Sequence, residues 1–332
     1  MHAGGSDVCH TTAIGAWPVM RSRLCETSLV KAIGTRRIVV VLASMAVLVA
    51  LVGSVVALVG GGGEQAREAA PAPVQPRHLK YVALGSSYAA GPGSSPLADR
   101  RCLRTADNYP HQVAAARHFR LADASCSGAT TANILSVPQL PAARAPQIDA
   151  VTPDTGLVTI TIGGNDISYV GRVAAHSCRN QIAARSVAIH GCPPARARPE
   201  PTSGDYVAVQ NSLVAVVEAV RARAPRATIV LVDYPPLIDP SGPRCGALGL
   251  STAETAETVR IYDRLVAVTA TAARESRALL VTVSKSGAAH TVCSSSPWLY
   301  GAQPPAPFHL NPRGKAGVAR LVLDALRRSD GR

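Results

Sequence analysis

Three short polar segments and a glycine block, far apart in the chain, carry side chains that could act together. Ser87 lies in Leu84-Gly85-Ser86-Ser87-Tyr88-Ala89-Ala90-Gly91, directly after a mostly apolar run over residues 79–84. Asn165 stands in Ile162-Gly163-Gly164-Asn165-Asp166, at the end of another apolar run. His309 stands in Phe308-His309-Leu310-Asn311-Pro312, where a helix begins. Between them, Cys126-Ser127-Gly128-Ala129-Thr130-Thr131 offers a glycine at which the backbone can approach a ligand closely. A serine hydroxyl is a weak nucleophile at neutral pH unless a base within hydrogen-bond reach takes its proton, and an imidazole is suited to that task. The oxyanion formed by attack on a carbonyl needs fixed donors, each worth about 3–4 kcal/mol in comparable sites. Ser87 and His309 are therefore the candidate nucleophile and general base. The Ser87 N–H, the Gly128 N–H and the Asn165 side-chain amide are the candidate oxyanion donors.

These residues need a scaffold that brings them to one edge. Strand-like stretches over residues 81–84, 121–125, 157–162, 228–233 and 278–283 alternate with helix-like stretches over 110–119, 206–224, 252–274 and 313–328. Asn108 is a possible cap for the first of these helices, and Asn311-Pro312 is a good start for the last. Strands separated by helices of this length imply right-handed crossovers, hence a central parallel five-stranded sheet in a three-layer α/β/α sandwich. A serine in a tight turn after the first strand then projects from the C-terminal edge of the sheet, where open α/β folds place their chemistry. Residues 168–204 are rich in Arg and Pro, contain two cysteines, and read as a disulfide-pinned insertion beside the site.

The four blocks, in this order, resemble those of the SGNH/GDSL hydrolases over residues 81–319. Gly85-Ser86-Ser87 matches the Gly-Asp-Ser block with Ser86 in place of the aspartate, and Gly163-Gly164-Asn165-Asp166 matches the Gly-x-Asn-Asp block. Ser127-Gly128-Ala129-Thr130-Thr131 and Cys293-Ser294-Ser295-Ser296-Pro297-Trp298 resemble the secreted branch with three disulfides. The resemblance implies an SGNH (flavodoxin-like) fold and ester hydrolysis through an acyl-enzyme on Ser87, with no cofactor and no metal. It also implies neighbour pairing of cysteines: Cys102 with Cys126, Cys178 with Cys192, and Cys245 with Cys293. One departure matters. The family commonly has an aspartate three residues before the histidine, where this chain has Ala306, and no acidic residue lies between Glu275 and Asp324. Members of the secreted branch work with a Ser-His dyad whose imidazole is held by a main-chain carbonyl, and Ala306 C=O is the expected acceptor here. Asp233, at the end of the fourth strand, is the one strand-end acid to weigh against it.

Composition bounds the rest. From Ile38 to Val59 there are 22 residues without a charge, preceded by Lys31, Arg36 and Arg37. At about 1.5 Å per helical residue that run can cross roughly 30 Å of hydrocarbon, and its basic flank predicts an N-terminus inside. The expected organisation is a cytoplasmic-side extension (1–37), a membrane segment (38–59), a Gly/Pro/Ala linker (60–77) and the hydrolase domain (78–332). An uncleaved signal anchor and a signal peptide cut near residues 69–72 both fit, and the length of the run favours the anchor. Six of the eight cysteines lie beyond the run, an even number that fits export and three disulfides; six cysteines allow fifteen pairings. No Cys-x-x-Cys pair exists, which argues against a zinc site. The net charge of +13 comes almost wholly from scattered arginines, and aromatics are 4 % of the chain. Nucleic-acid binding wants clustered basic residues with stacking platforms, so a solvated basic surface is expected, on a monomer. The expected partner is an ester, lipid or acylated small molecule. Two rival readings are a carbohydrate acetyl-esterase acting on cell-envelope glycans and a weakened SGNH domain that only binds acyl chains or glycans.

Overall fold

The computed structural model describes residues 78–185, 199–242 and 245–331. The segments 1–37, 38–59 and 60–77, and Cys192, lie outside the described residues. Among the described residues no helix is long and apolar enough to cross a membrane.

Five strands, β1 (Lys80–Gly85), β4 (Arg120–Asp123), β5 (Thr155–Thr161), β6 (Thr228–Val232) and β7 (Leu279–Val281), form one sheet in the order β4-β1-β5-β6-β7. Every pairing in it is parallel. Strands β1 and β5 are buried almost throughout, so they read as continuous apolar runs rather than alternating ones. The polar atoms left in this interior find partners across the layers: Tyr81 Oη with Thr159 Oγ1 at 2.7 Å, and Tyr109 Oη with Thr161 Oγ1 at 2.9 Å. A two-stranded antiparallel sheet, β2 (Leu97–Asp99) with β3 (Arg104–Thr105), stands apart from the main one.

The helices are α1 (Ser87–Ala90), α2 (Tyr109–Arg117), α3 (Thr131–Leu135), α4 (Tyr169–Arg185), α5 (Ser203–Arg223), α6 (Thr252–Glu275), α7 (Val283–Ser286) and α8 (Pro312–Asp330). Their starts are written locally. Asn108 caps α2 through the His111 N–H, Thr202 with Asp205 and Ser251 with Glu254 form reciprocal boxes, and Asn311 caps α8 with Pro312 in the first turn. Helix α2 packs against α8, while α5 and α4 pack against α6, giving the three-layer α/β/α sandwich. Because β1 is flanked by β4 on one side and β5 on the other, the chain reverses its direction of travel across the sheet between β1 and β5. Ligands of open α/β sheets bind at that switch point.

Two details differ from the sequence reading. The first half of residues 168–204, expected as an insertion beside the site, forms the 17-residue helix α4. The last strand is only three residues long, because Val283 already begins α7. Disulfides join Cys102 to Cys126 and Cys245 to Cys293, and Cys178 is also disulfide-bonded.

Candidate active site

Ser87 opens α1 directly after β1, and the turn that presents it is tight for a visible reason. Gly85 has φ of 149°, and a Cβ there would stand 2.5 Å from the Thr161 carbonyl oxygen. Glycine alone lets β1 and β5 stay paired to their last residue. Gln147 completes the edge: its Oε1 accepts from the Gly85 N–H at 2.7 Å and its Nε2 donates to the Gly85 carbonyl at 2.9 Å. The Ser86 N–H donates to the Thr161 carbonyl at 3.0 Å. All four residues of α1 are buried, so the nucleophile candidate is set by close packing rather than by a flexible loop.

His309 arrives from the opposite direction of the sequence. Its Nε2 lies 2.8 Å from Ser87 Oγ, and its Nδ1 lies 2.8 Å from the Pro307 carbonyl. A carbonyl oxygen only accepts, so the proton sits on Nδ1 and Nε2 is the acceptor for the serine hydroxyl. The expected acceptor, Ala306 C=O, is corrected: that oxygen already accepts the His309 backbone N–H at 3.1 Å, closing a turn in which Phe308 takes a left-handed φ of 62°. The turn consumes the Ala306 carbonyl and leaves that of Pro307 for the ring. Among the described residues no carboxylate lies within ion-pair distance of His309. Burial pulls the imidazole pKa below its ordinary value, against the opposing pull of the Pro307 carbonyl.

Asp233, weighed as a distant orienter, is engaged elsewhere. Its carboxylate accepts from Ser284 N at 2.8 Å and from Ser284 Oγ at 2.6 Å, and burial pushes its pKa up to about 6. His290 stacks on Trp298 with ring centroids 4.4 Å apart, and its Nδ1 lies 2.8 Å from the Ser296 carbonyl, a packing role.

The other two blocks converge on the same edge. Asn165 follows β5, where Gly163 has φ of 102° and the Gly164 N–H donates to Tyr234 Oη at 3.1 Å. Asn165 Nδ2 donates to the Ala129 carbonyl at 2.8 Å, which aims the amide at the glycine block and leaves its second hydrogen unspent. Asp166 fastens the two blocks together, accepting from the N–H and hydroxyl of Thr131. Neither the Ser87 nor the Gly128 N–H has an acceptor among the described residues. Ser87, Gly128, Asn165 and His309 all line one cavity of about 640 Å³. Its walls are one face of α4 (Val170, Gly171, Ala174) and the proline-rich strap over residues 302–308. A larger depression of about 1150 Å³ lies around Lys80, Arg120 and Asp154 at the N-terminal edge of the sheet, and no serine or cysteine lines it.

Several contributors were not visible in the sequence. Gln147, Pro307 and Tyr88, whose hydroxyl donates to the Phe308 carbonyl at 2.7 Å, carry no local signal. Lys315 did carry one: a cation at an apolar position of the α8 stripe.

Residues 83–316 match the model of the GDSL-like lipase/acylhydrolase family. The chain is 34 % identical over 294 residues to Lipase 2 of Streptomyces coelicolor, covering 84 % of this chain and 96 % of that one. Among solved structures, the extracellular lipase of Streptomyces rimosus superposes with a TM-score of 0.58 at 28 % identity, over 74 % of this chain and 99 % of the other. Phospholipase A1 of Streptomyces albidoflavus NA297 superposes with a TM-score of 0.57 at 25 % identity, over 75 % and 99 %. With its blocks gathered at one sheet edge in the expected fold, the chain belongs to the GDSL-like lipase/acylhydrolase family.

Proposed function

We propose that this carboxylic-ester hydrolase works through an acyl-enzyme on Ser87 with His309 as its only general base. The reading rests on one observation: Nε2 of His309 faces Ser87 Oγ at 2.8 Å while Pro307 C=O fixes the other ring nitrogen as donor. Ser87 Oγ attacks the ester carbonyl as its proton passes to Nε2, and the oxyanion is held by the Ser87 N–H, the Gly128 N–H and the Asn165 amide. The imidazolium then protonates the departing alcohol, leaving the acyl group on Ser87. Water gives its proton to the regenerated Nε2, attacks the acyl carbonyl, and the second collapse returns the proton to Ser87 Oγ. The carbonyl of Pro307 preserves the tautomer, which is the orienting task an aspartate performs in a triad, without a full charge to stabilise the imidazolium.

The mostly apolar walls of the cavity favour a hydrocarbon acyl group over a sugar. Two disulfides and a further disulfide-bonded cysteine, Cys178, among the described residues suit an oxidising compartment. With the extracellular relative from Streptomyces rimosus, they support export of this domain. The run over residues 38–59 is then its leader, either retained as an anchor or cut near residues 69–72. The test pairs a fluorophosphonate probe with p-nitrophenyl esters from acetate to palmitate. The wild-type protein should be labelled and should hydrolyse esters, and Ser87→Ala should do neither. Labelling that persists in Ser87→Ala would overturn the assignment.

A further inference from the structure

Lys315 is 0 % exposed, yet it lies in the first turn of α8, six residues after His309, on the stripe that buries Val318, Ala319 and Val322. A lysine there has to be explained, because an apolar residue of similar length would serve the packing. Replacing a buried ion pair by well-packed apolar residues is often neutral or stabilising, so net stability is a poor reason for it. Its ammonium donates to Asp107 Oδ1 at 2.8 Å and to Thr105 Oγ1 at 3.0 Å. The Thr105 hydroxyl in turn donates to the Gly91 carbonyl at 2.7 Å, and the Gly91 N–H donates to the Ser87 carbonyl at 2.8 Å. Gly91 ends α1 in a left-handed conformation, with φ of 67°. A Cβ at Gly91 would meet Asn108 Cβ at 2.8 Å and Lys315 Cε at 3.2 Å, so the end of the nucleophile helix is pressed directly onto the lysine stem. On the other side, the Lys315 N–H donates to the Asn311 carbonyl at 2.9 Å, and Asn311 N–H donates to Trp298 C=O at 2.9 Å. Burial raises the pKa of Asp107, but hydrogen bonds from Lys315 and Ser95 outweigh it and keep the carboxyl below its ordinary range.

We infer that Lys315 is a positioning residue, which through Thr105 and Gly91 fixes the Ser87 helix against the element that carries His309. The inference rests on the Ser87–His309 reading. Beside the bond from the Tyr88 hydroxyl to the Phe308 carbonyl at 2.7 Å, which ties the middle of α1 to the same element, this hydrogen-bond chain holds the C-terminal end of α1. Its loss should therefore loosen the 2.8 Å contact between hydroxyl and imidazole rather than change what the cavity binds.

The experiment uses the full-length protein and separates stability from turnover. Thr105→Val keeps the volume and removes the relay hydroxyl, whereas Thr105→Ser keeps the hydroxyl and removes a methyl. Thr105→Val and Lys315→Met should each lower kcat for p-nitrophenyl butyrate by between about tenfold and a hundredfold, the scale of an ångström-sized misplacement, with KM nearly unchanged. The double variant should lose no more than either single one. Thr105→Ser should melt earlier than wild type yet keep its kcat. Wild-type kcat in a folded Thr105→Val or Lys315→Met protein would overturn the inference. So would a kcat loss in Thr105→Ser equal to that in Thr105→Val, since turnover would then follow packing and not the hydroxyl. Should Lys315→Met not fold, the two Thr105 variants decide alone. Absence of Ser87-dependent hydrolysis in the wild type would instead refute the underlying reading of the site.

Discussion

The two halves of the candidate active site are held by different means. Ser87 stands on the sheet: β1 and β5 run paired up to the turn, Gln147 brackets Gly85 from a distant loop, and α1 is buried on all sides. His309 stands on a strap held by an isolated bridge between Leu299 and Leu310 and by the Tyr88 hydroxyl on the Phe308 carbonyl, and its Nδ1 partner is two residues away in its own loop. The candidate nucleophile is thus placed by long-range contacts, whereas the ring of the candidate base is oriented by a local one. A base oriented by its own main chain needs no carboxylate from elsewhere, which is how a chain with no acid between Glu275 and Asp324 can keep the tautomer fixed.

The strongest way to break this contrast is to compare His309→Ala with Asp233→Asn. Loss of His309 should lower kcat for p-nitrophenyl butyrate by about 10⁴-fold or more. Asp233→Asn should stay within a few-fold of wild type, because Asp233 binds Ser284 and does not touch His309. A folded Asp233→Asn protein as inactive as His309→Ala would show that a remote carboxylate completes a triad.

Asn165→Ala comes next. It removes one proposed oxyanion donor and should cost about 10²–10³-fold in kcat with little change in KM. A loss confined to KM would move Asn165 from the oxyanion to ground-state binding.

On the scaffold side, Gly85→Ala sharpens the long-range half of the comparison. The added Cβ would stand 2.5 Å from Thr161 O, so thermal or urea unfolding should show a loss of about 2–4 kcal/mol. Gly128→Ala, whose Cβ would meet only Gln139 Nε2 at 3.4 Å, pays chiefly for its φ of 87° and should lose about 1 kcal/mol. Equal losses would mean that the glycine at the sheet edge is no more constrained than the one in the loop.

The smallest effects are in pH. Because burial holds the His309 pKa below its ordinary value, the acid limb of kcat/KM should have its midpoint below about 6.5, with a plateau at neutral pH. A midpoint above that value would require a nearby negative charge. Asp233 titrates in the opposite sense. With its folded pKa raised to about 6, the native state keeps a proton that the unfolded chain has already lost, so its contribution to stability falls as pH rises from about 4 to 6. Asp233→Asn should therefore gain stability relative to wild type across that window, measured by thermal unfolding at pH 4 and pH 7.

The alternation of apolar runs with capped helices made the five-strand, three-layer architecture legible. So did the glycines and polar residues at strand ends, since strands and caps follow from interactions between near neighbours in sequence. Asn108 and Asn311-Pro312 mark helix starts without any tertiary information. Helix α4 was not legible: residues 168–204 mix Arg, Pro and Cys, and no apolar stripe announces a helix until the cavity gives it a face to cover. The order of blocks pointed to Ser87, Gly128, Asn165 and His309, but their types alone could not say which carbonyl meets the imidazole. That choice, Pro307 over Ala306, follows from the turn in which the His309 N–H takes the Ala306 oxygen and Phe308 is left-handed. The pairing of Lys315 with Thr105 and Asp107 spans more than two hundred residues. Only tertiary structure could decide it, because the energy of burying a charge depends on which partners are present after the chain has closed, not on the residues beside it in sequence.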